Sequence, residues 1–472
     1  MATARQVQFS LKVMMIKESN KVVYAEVDSD FADVLLSFLT LPRGTIVRLL
    51  IKHYGNQAPI LGSLNSLYRG LSNLNSSHFG TEAGKLMLLN PRNASGIQCG
   101  RLKLQIDDTP PPIQYYTCGC SATKTCVSMY YSVNCLCQPQ NSTHATIARK
   151  DLEMDAQSGD KSVFTAQTAS FLLTDDLQLL ANSSASFFQI LKLNGIEDTS
   201  VLEERTLIVG LKEVINLNPL TCNLVNSPAY LIMKLLKRSL VSKTPITDVI
   251  LCISSAAKYE PDHVSLQTQT INNNTSPNSK NVKVIKILVQ KSTSRVLLAQ
   301  TWQDFIDFLF SLLTIPLGRV QHLLGKNTHD CLGSISNLYR SISNSETFTY
   351  MKSWEAMKSL QEPQLPPYYL SSHQIFSLTE QTTPPLRRGD DNGKLKLLVS
   401  TYWKATATDP AVKMVDPKGQ SSFVKGPKMF MVTDDLTVSS PPSTSIFSVL
   451  NQMKIPPSDV EEQELFIGEW KR

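Results

Sequence analysis

Five cysteines lie within twenty residues of the sequence, and their thiols are the most reactive groups that the chain concentrates in one place. Thiolates suit Zn²⁺, which takes four soft ligands in a tetrahedron and has no geometric preference of its own. The C-x-C spacings are tighter than those of common zinc sites, so a degenerate former site and redox chemistry stay open as alternatives. A disulfide cluster is disfavoured in a cytosolic chain. The candidate ligands of one structural zinc are Cys118, Cys120, Cys126, Cys135 and Cys137.

Two pairs of adjacent carboxylates follow similar apolar runs, FLLTDDL from Phe171 and FMVTDDL from Phe430. Two acids could bind a cation or divide the roles of general acid and general base. Adjacent residues of a strand point to opposite faces, however, so both rarely reach one substrate. A Thr-Asp-Asp sequence at the end of a strand also supplies ordinary turn and capping oxygens. We therefore predict structural roles for these four carboxylates, which are Asp175, Asp176, Asp434 and Asp435.

Two other polar features also occur twice. Asp33 and Asp307 each lie two residues after the first apolar residue of an amphipathic segment, which predicts solvated or capping carboxylates off the buried face. The Tyr-Arg pairs at 68–69 and 339–340 could form a recognition surface. A Tyr packed at helical spacing beside an Arg that keeps its charge in water is the simpler interpretation.

Motifs of the common enzyme classes are absent from the sequence. The chain has no phosphate-binding G-x-x-x-x-G-K-[ST] loop, no G-x-G-x-x-G, no H-E-x-x-H and no G-x-S-x-G. The seven histidines are scattered, so a Ser/His/Asp or Cys/His triad could assemble only through folding. We assign no catalytic and no cofactor-binding residue from the sequence, which leaves enzymatic activity uncertain and favours its absence.

These polar residues sit in a sequence that repeats itself. Residues 31–50 and 305–324 match at ten of twenty positions, including the pairs Phe31/Phe305 and Pro42/Pro316. The block LGSLNSLYRGLSN from Leu61 resembles the later LGSISNLYRSISN, and the two TDD blocks follow in the same order. Three blocks in one order predict two tandem copies of one module.

The elements of the module can be read from its apolar pattern. Runs at 9–16 and 21–27, and again at 284–289 and 295–300, predict a β-hairpin. Apolar residues at helical spacing from Phe31 and from Phe305 predict a short amphipathic helix that is buried on two sides and stops before a Pro-x-Gly sequence. Two shorter helices, a TDD strand and further helix-like stretches follow. Those stretches are 186–193, 201–211, 445–453 and 460–466. Together, these elements predict an α+β fold.

Composition places the boundary between the copies in a polar stretch. Residues 253–282 have the makeup of a linker, between a first module at 9–252 and a second at 283–472. The first module carries the cysteine-rich segment 115–140 and a stretch at 216–233 that looks inserted. The second module lacks the cysteine cluster and is shorter at its C-terminal end.

Charge and hydropathy disfavour several classes of protein. The 472 residues carry 46 Lys and Arg against 40 Asp and Glu, and this +6 excess is spread along the chain, which gives no support to nucleic-acid binding. Lys12 and Lys17 interrupt the N-terminal apolar residues, so no secretory signal is readable. No apolar stretch reaches the length of a membrane helix. We expect an intracellular protein of the cytoplasm or nucleus that does not contact membranes.

The hairpin, the FxDxLxSxLTxPxG-type block, the LGSxxxLYR block and FVKGPKMFMVTDDL at 423–436 resemble the plant domain-of-unknown-function family six-seven-four. The resemblance covers nearly the whole chain in two copies, and it implies plant origin and residence inside the cell but no activity. Copies of the module in this family tend to have a cysteine cluster after a Tyr-Tyr pair and to end with a helix like LLKRSLVSKTPITDV. Here the cluster ends one residue short, and the second copy has neither the cluster nor the helix.

What the two copies share is apolar periodicity and turn residues, which serve the fold. The sequence therefore favours a non-catalytic module that binds other macromolecules, in particular proteins. One alternative is an enzyme that uses the Asp pairs or the cysteines. The other is a zinc-stabilised nucleic-acid-binding protein.

Overall fold

The protein is described by a computed structural model, in which helices and largely antiparallel sheets confirm the predicted α+β class. All but the last residue of the predicted linker lies outside the described part of the chain, so the module boundaries stay predictions. The described residues are 7–55, 58, 61–109, 114–118, 125–130, 146–148, 162–209, 228–251, 282–325, 332–343, 349–383, 386–391, 394–399, 412–419, 421–440 and 445–467.

Two five-stranded sheets have the same internal order. Their strands are β1 (Phe9–Ile16), β2 (Val22–Asp28), β6 (Ser170–Thr174), β7 (Leu179–Ala181), β8 (Leu202–Val209), β9 (Lys283–Gln290), β10 (Arg295–Trp302), β14 (Met429–Thr433), β15 (Val438–Ser439) and β16 (Val460–Ile467). The first sheet runs β7-β6-β2-β1-β8 and the second runs β15-β14-β10-β9-β16. Each starts from a predicted hairpin, and the alternating apolar residues of its first strand, β1 or β9, put one face of that strand in the core. We call residues 7–251 the first half and 282–467 the second half.

Two smaller sheets complete the strands that the structure describes. Their strands are β3 (Gln114–Cys118), β4 (Thr125–Ser128), β5 (Thr146–Ala148), β11 (Leu386–Asp391), β12 (Lys394–Val399) and β13 (Val412–Met414). One is the hairpin of β11 and β12, and the other has the order β13-β4-β3-β5, with a parallel pair between β13 and β4. The four-stranded sheet therefore joins a strand of the second half to strands of the first.

The helices begin and end largely where the sequence indicates. The helix from Ser29 continues as a 3₁₀ turn to Thr40 and stops before Pro42, because proline lacks the N–H that the next helical bond needs. The helices are α1 (Ser29–Leu36), α2 (Arg43–Tyr54), α3 (Leu64–Asn73), α4 (Glu82–Leu89), α5 (Gly96–Cys99), α6 (Ser184–Leu193), α7 (Pro228–Val241), α8 (Pro245–Ile250), α9 (Gln303–Ser311), α10 (Leu317–Leu324), α11 (Ile335–Ile342), α12 (Trp354–Gln361) and α13 (Ser445–Met453).

Two of the helix-like stretches are strands, so that prediction was wrong. Residues 202–209 and 460–467 form β8 and β16, which pair antiparallel with β1 and β9 along their full lengths. Four of the eight residues in each strand are apolar, but they do not alternate, and the backbone bonds offered by the hairpin decided their structure. The stretches at 186–193 and 445–453 lie in helices, as predicted.

The two halves exchange helices across their junction. The core of the first sheet includes Leu338 and Ile342 of α11, which belongs to the second half. The core of the second sheet includes Leu67 and Leu71 of α3, which belongs to the first half. Each sheet is therefore covered partly by its own chain segment and partly by a segment from the other half.

The centre of the exchange is a short antiparallel contact between the two Pro-x-Gly segments. The Arg43 N–H donates to Ile315 O at 3.2 Å, and the Leu317 N–H donates to Leu41 O at 3.1 Å. Pro42 and Pro316 face one another between these bonds. The reciprocal bonds relate the halves by an approximate twofold arrangement at this point. Common ancestry of the two halves stays a prediction.

Candidate functional site

The TDD segments end β6 and β14 and turn the chain toward β7 and β15. Thr174 Oγ1 donates to Asp176 Oδ1, and Thr433 Oγ1 donates to Asp435 Oδ1. In each half the second aspartate therefore serves the turn, as the structural interpretation predicts. The residue that follows has a positive φ in both halves, at 177 and at 436.

The second aspartates also tie the halves together. Asn337 Nδ2 of α11 donates to both the main-chain oxygen and the carboxylate of Asp176, each at 2.9 Å. At the matched place, the side chain of Ser66 on α3 bonds to Asp435, and this contact helps to keep the pKa of Asp435 below its usual value. These carboxylates thus hold the exchanged helices.

The first aspartates of the two pairs differ in their surroundings. Asp175 is buried and accepts bonds from the Thr247 N–H at 2.8 Å and from Thr247 Oγ1 at 2.7 Å, at the start of α8. Asp434 is exposed. Asp175 and Asp176 are adjacent in the chain but serve different structural contacts, so this pair does not converge on one substrate position.

Burial of Asp175 makes the stability of the folded protein depend on pH. It raises the pKa of Asp175 to about 6 from 3.8, although the two bonds from Thr247 act in the opposite direction. The folded state therefore holds this proton at pH values where the unfolded chain has released it, and stability is lost as the pH rises through this window. Relative to Asp175→Asn, the wild type should lose about 3 kcal/mol of unfolding free energy between pH 3.8 and about 7. Urea unfolding at a series of pH values checks this, and parallel curves for the two proteins would contradict it.

Asp33 and Asp307 are buried and neither caps its own helix, so the prediction of solvated or capping carboxylates was wrong. The carboxylate of Asp33 accepts bonds from the N–H groups of Val163, Phe164 and Thr165 at 2.6, 3.1 and 2.8 Å, and from Thr165 Oγ1 at 2.9 Å. These groups precede β6. The apolar periodicity places Asp33 off the main stripe of α1, but the incoming loop closes over that side of the helix.

The second half has an equivalent arrangement. Asp307 accepts bonds from the N–H groups of Phe423 and Val424 at 2.6 and 2.8 Å, and from the hydroxyl of Ser371. Desolvation raises the pKa of both Asp33 and Asp307. Each carboxylate fixes the loop that leads into a TDD strand. The recurrence of Asp at the same place in both sequence blocks was the signal for this role.

A serine, a histidine and an aspartate come together in the second half. Ser371 donates directly to Asp307, while the main-chain N–H of His373 donates to Ser371 Oγ at 2.9 Å. His373 Nδ1 lies 3.4 Å from Lys283 Nζ. In a catalytic triad the imidazole lies between the hydroxyl and the carboxylate. Here the serine hydroxyl bonds the carboxylate itself, so this group stabilises a loop rather than activating a nucleophile.

The cysteine prediction falls mostly outside the described residues, which is the case for Cys120, Cys135 and Cys137. Cys118 of β3 lies directly opposite Cys126 of β4 in the antiparallel register. Cys126 is buried. Within the described ranges, no three His, Cys, Asp or Glu residues are grouped so that they could hold a metal ion. A structural zinc at this segment stays a prediction.

The two Tyr-Arg pairs have the simpler of their two interpretations. Tyr68 donates to Leu89 O at 3.0 Å, and Tyr339 donates to Gln361 O at 3.1 Å, so each tyrosine fastens α3 or α11 to the end of a following helix. The neighbouring arginines are exposed. The tyrosines are therefore packing residues of the exchanged helices.

Two exposed phenylalanines are the feature that the sequence analysis missed. Phe188 on α6 is 66% exposed and Phe447 on α13 is 67% exposed. Both lie two residues after a serine in the aligned segments SFFQIL and SIFSVL. Neighbouring residues of these helices, Ile190 and Leu450, are buried. The recurrence of Phe on the outward side of both helices could have identified this pair from sequence.

Comparison with known proteins gives one match and two negative results. No curated protein matches the sequence, and no solved structure matches it either. Among the described residues, no helix is both long and apolar enough to cross a membrane. The sequence model of a family described as "Protein of unknown function (DUF674)" matches residues 5–470, nearly the whole chain. The chain therefore belongs to this family of proteins of unknown function.

Proposed function

We propose that this protein is a non-catalytic interaction module that binds other proteins in the cytoplasm or nucleus of plant cells. The observation that carries the proposal is the pair Phe188 and Phe447, each about two-thirds exposed on a helix of its own half. Moving a phenylalanine side chain from water into an interface contributes about 1.5–3 kcal/mol. Two such side chains give a partner two separate apolar anchors.

The hydrogen bonds made by the acidic residues favour a binding function over a catalytic one. Asp33, Asp307 and Asp175 are occupied with backbone N–H groups, and Asp176 and Asp435 hold turns and exchanged helices. A carboxylate that is already committed to structural bonds is not available as a general base. The proposal therefore assigns these residues to the scaffold and the exposed phenylalanines to recognition.

Charge on one edge of the second sheet supports a protein partner rather than nucleic acid. Glu461, Glu462 and Glu464 are exposed on β16, an edge strand of that sheet, and Glu462 pairs with Lys286. Carboxylates on a contact surface repel phosphates, whereas nucleic-acid sites are rich in Lys and Arg. A zinc-stabilised nucleic-acid-binding protein is thus the weaker alternative.

Affinity purification from plant tissue tests the proposal with the full chain as bait. We expect Phe188→Ser/Phe447→Ser to lower the recovery of specific partners by about tenfold or more, since about 1.4 kcal/mol corresponds to a factor of ten. The control is Leu86→Ser, which changes another exposed apolar side chain on α4. Equal recovery by the double variant and the wild type would refute the proposal. A partner set that nuclease treatment or raised salt removes would favour nucleic acid instead.

A further inference from the structure

The helix pair α7–α8 fills a defined place in the first half, which we call the first seat. At its α8 end, Thr247 donates to Asp175 through its N–H and Oγ1, and Thr247 Oγ1 also accepts a bond from the Val22 N–H at 2.9 Å. A hydroxyl can donate its one proton and accept at the same time, which accounts for both bonds. The threonine joins the start of α8 to the TDD turn and to β2.

The α7 end of the pair lies against α2 and against the segment before α11. Gly333 approaches α7 so closely that a Cβ added there would lie 2.8 Å from Ser239 O. Ser334 Oγ donates to Ser242 O at 2.8 Å. The first seat is therefore built by both halves. Its residues are Val22, Asp175, Gly333 and Ser334, which contact the helix pair, and Leu49, Leu50 and Leu177, which belong to the same buried apolar cluster as Ile232, Leu235 and Leu236 of α7.

The matched positions of the other half hold the same seven residue types. Sequence alignment of the repeated blocks pairs each residue of the first seat with an identical residue, and here the contribution from across the junction comes from the first half. We call this set the second seat. Its residues are Leu323, Leu324, Val296, Asp434, Leu436, Gly62 and Ser63.

The second seat is open where the first is covered. Leu49 and Leu50 are 2% and 1% exposed, whereas Leu323 and Leu324 are both 37% exposed. Asp434 is exposed, and a Cβ added to Gly62 would meet no atom within 4 Å, although its φ is nearly that of its counterpart in the first seat. In the part of the chain that the structure describes, nothing covers the second seat as α7–α8 covers the first.

We propose that the second seat binds a helix pair supplied by another protein. The first seat defines the chemistry of the occupant. Its first helix carries an apolar face like that of Ile232, Leu235 and Leu236, which are buried. Its second helix begins near a Pro and carries a Thr at its third position, as α8 does with Pro245 and Thr247.

Charge complementarity supports this occupant. The N-terminus of a helix carries unpaired N–H groups and a partial positive charge, and a carboxylate such as that of Asp434 is its favoured partner. The inference rests on the proposed function, because it names the kind of partner. It uses residues other than Phe188 and Phe447, so different variants test the inference and the proposed function.

A labelled synthetic peptide with the sequence of residues 228–250 is the probe, added to the full chain. We expect saturable binding at one site per chain. Asp434→Ala should weaken it about tenfold or more, because it removes a charged acceptor of two hydrogen bonds. The control is Asp30→Ala, whose carboxylate pairs with Lys103 at the surface. A Thr247→Ala peptide keeps the main-chain N–H and loses only the hydroxyl, so it should bind the wild type more weakly than the original peptide does, and the change should cost less affinity against Asp434→Ala than against the wild type.

Tethering removes the dependence on the affinity of a free peptide. A copy of residues 228–250 joined after residue 472 by a flexible linker has an effective concentration in the millimolar range. We expect the tethered chain to unfold at a higher temperature than the untethered one, and Asp434→Ala to remove that gain. If tethering does not raise the unfolding temperature, or raises it equally in the wild type and in Asp434→Ala, the inference is wrong.

Other outcomes are also decisive. Peptide binding that depends on Asp175 and not on Asp434 would mean that the peptide displaces α7–α8 from the first seat, which contradicts the inference. A stable dimer of the untethered chain that Asp434→Ala dissociates would identify a second copy as the occupant and contradict a separate partner. Unchanged peptide binding by Phe188→Ser/Phe447→Ser would support a surface separate from that of the proposed function.

Discussion

Replacing Asp33 with alanine should lower the free energy of unfolding by about 3–5 kcal/mol, because it leaves buried N–H groups without an acceptor. The groups concerned are the main-chain N–H groups of 163–165, which the carboxylate collects before β6. Water cannot replace the lost acceptor easily, since Asp33 is only 3% exposed. Urea unfolding of the purified variant measures the loss.

The matched control for this variant is Asp30→Ala on the same helix. Asp30 pairs with Lys103 at 3.1 Å, and both side chains are partly exposed, so its removal should cost less than about 1 kcal/mol. Asp307→Ala should behave like Asp33→Ala, because it also removes the acceptor of two main-chain N–H groups. Equal stabilities of Asp30→Ala and Asp33→Ala would show that the buried carboxylate is dispensable.

Gly318→Ala should destabilise the protein by about 3 kcal/mol or more, through overpacking at the junction of the halves. A Cβ at this position would clash with Leu360 O and lie 3.1 Å from Leu39 O, and both contacts are with main-chain atoms that cannot rotate away. Leu360 belongs to the second half and Leu39 to the first, so relieving both contacts would move α10 away from α12 and from the 3₁₀ turn that precedes Pro42.

The comparison for this variant is Gly96→Ala on α5. An added Cβ there would come no closer than 3.9 Å to another atom, so the change should be close to neutral. Thermal unfolding of both variants beside the wild type gives the result. A Gly318→Ala protein as stable as Gly96→Ala would contradict the close packing of α10 against Leu360 and Leu39.

Local signals in the sequence were sufficient for the main elements. The alternating apolar residues of β1 and β9 fix which faces of these strands are buried, and Pro42 fixes where the helix from Ser29 must stop. Local signals were not sufficient for β8, because a strand whose apolar residues do not alternate depends on the edge that its partner offers. The structural role of the TDD turns followed from their residue types, which make the same local bonds in either half.

The sequence by itself determined the hairpins, the first helices, the turns and the internal resemblance of the two halves, because these depend on residues that are near one another in the chain. Only the tertiary structure decided that α3 and α11 cross to the opposite sheets, that Asp33 is buried and that Asp434 is exposed where Asp175 is covered. The identical TDD sequences cannot distinguish the burial of Asp175 from the exposure of Asp434. The difference comes from α8, because its Thr247, 72 residues after Asp175 in the chain, covers Asp175.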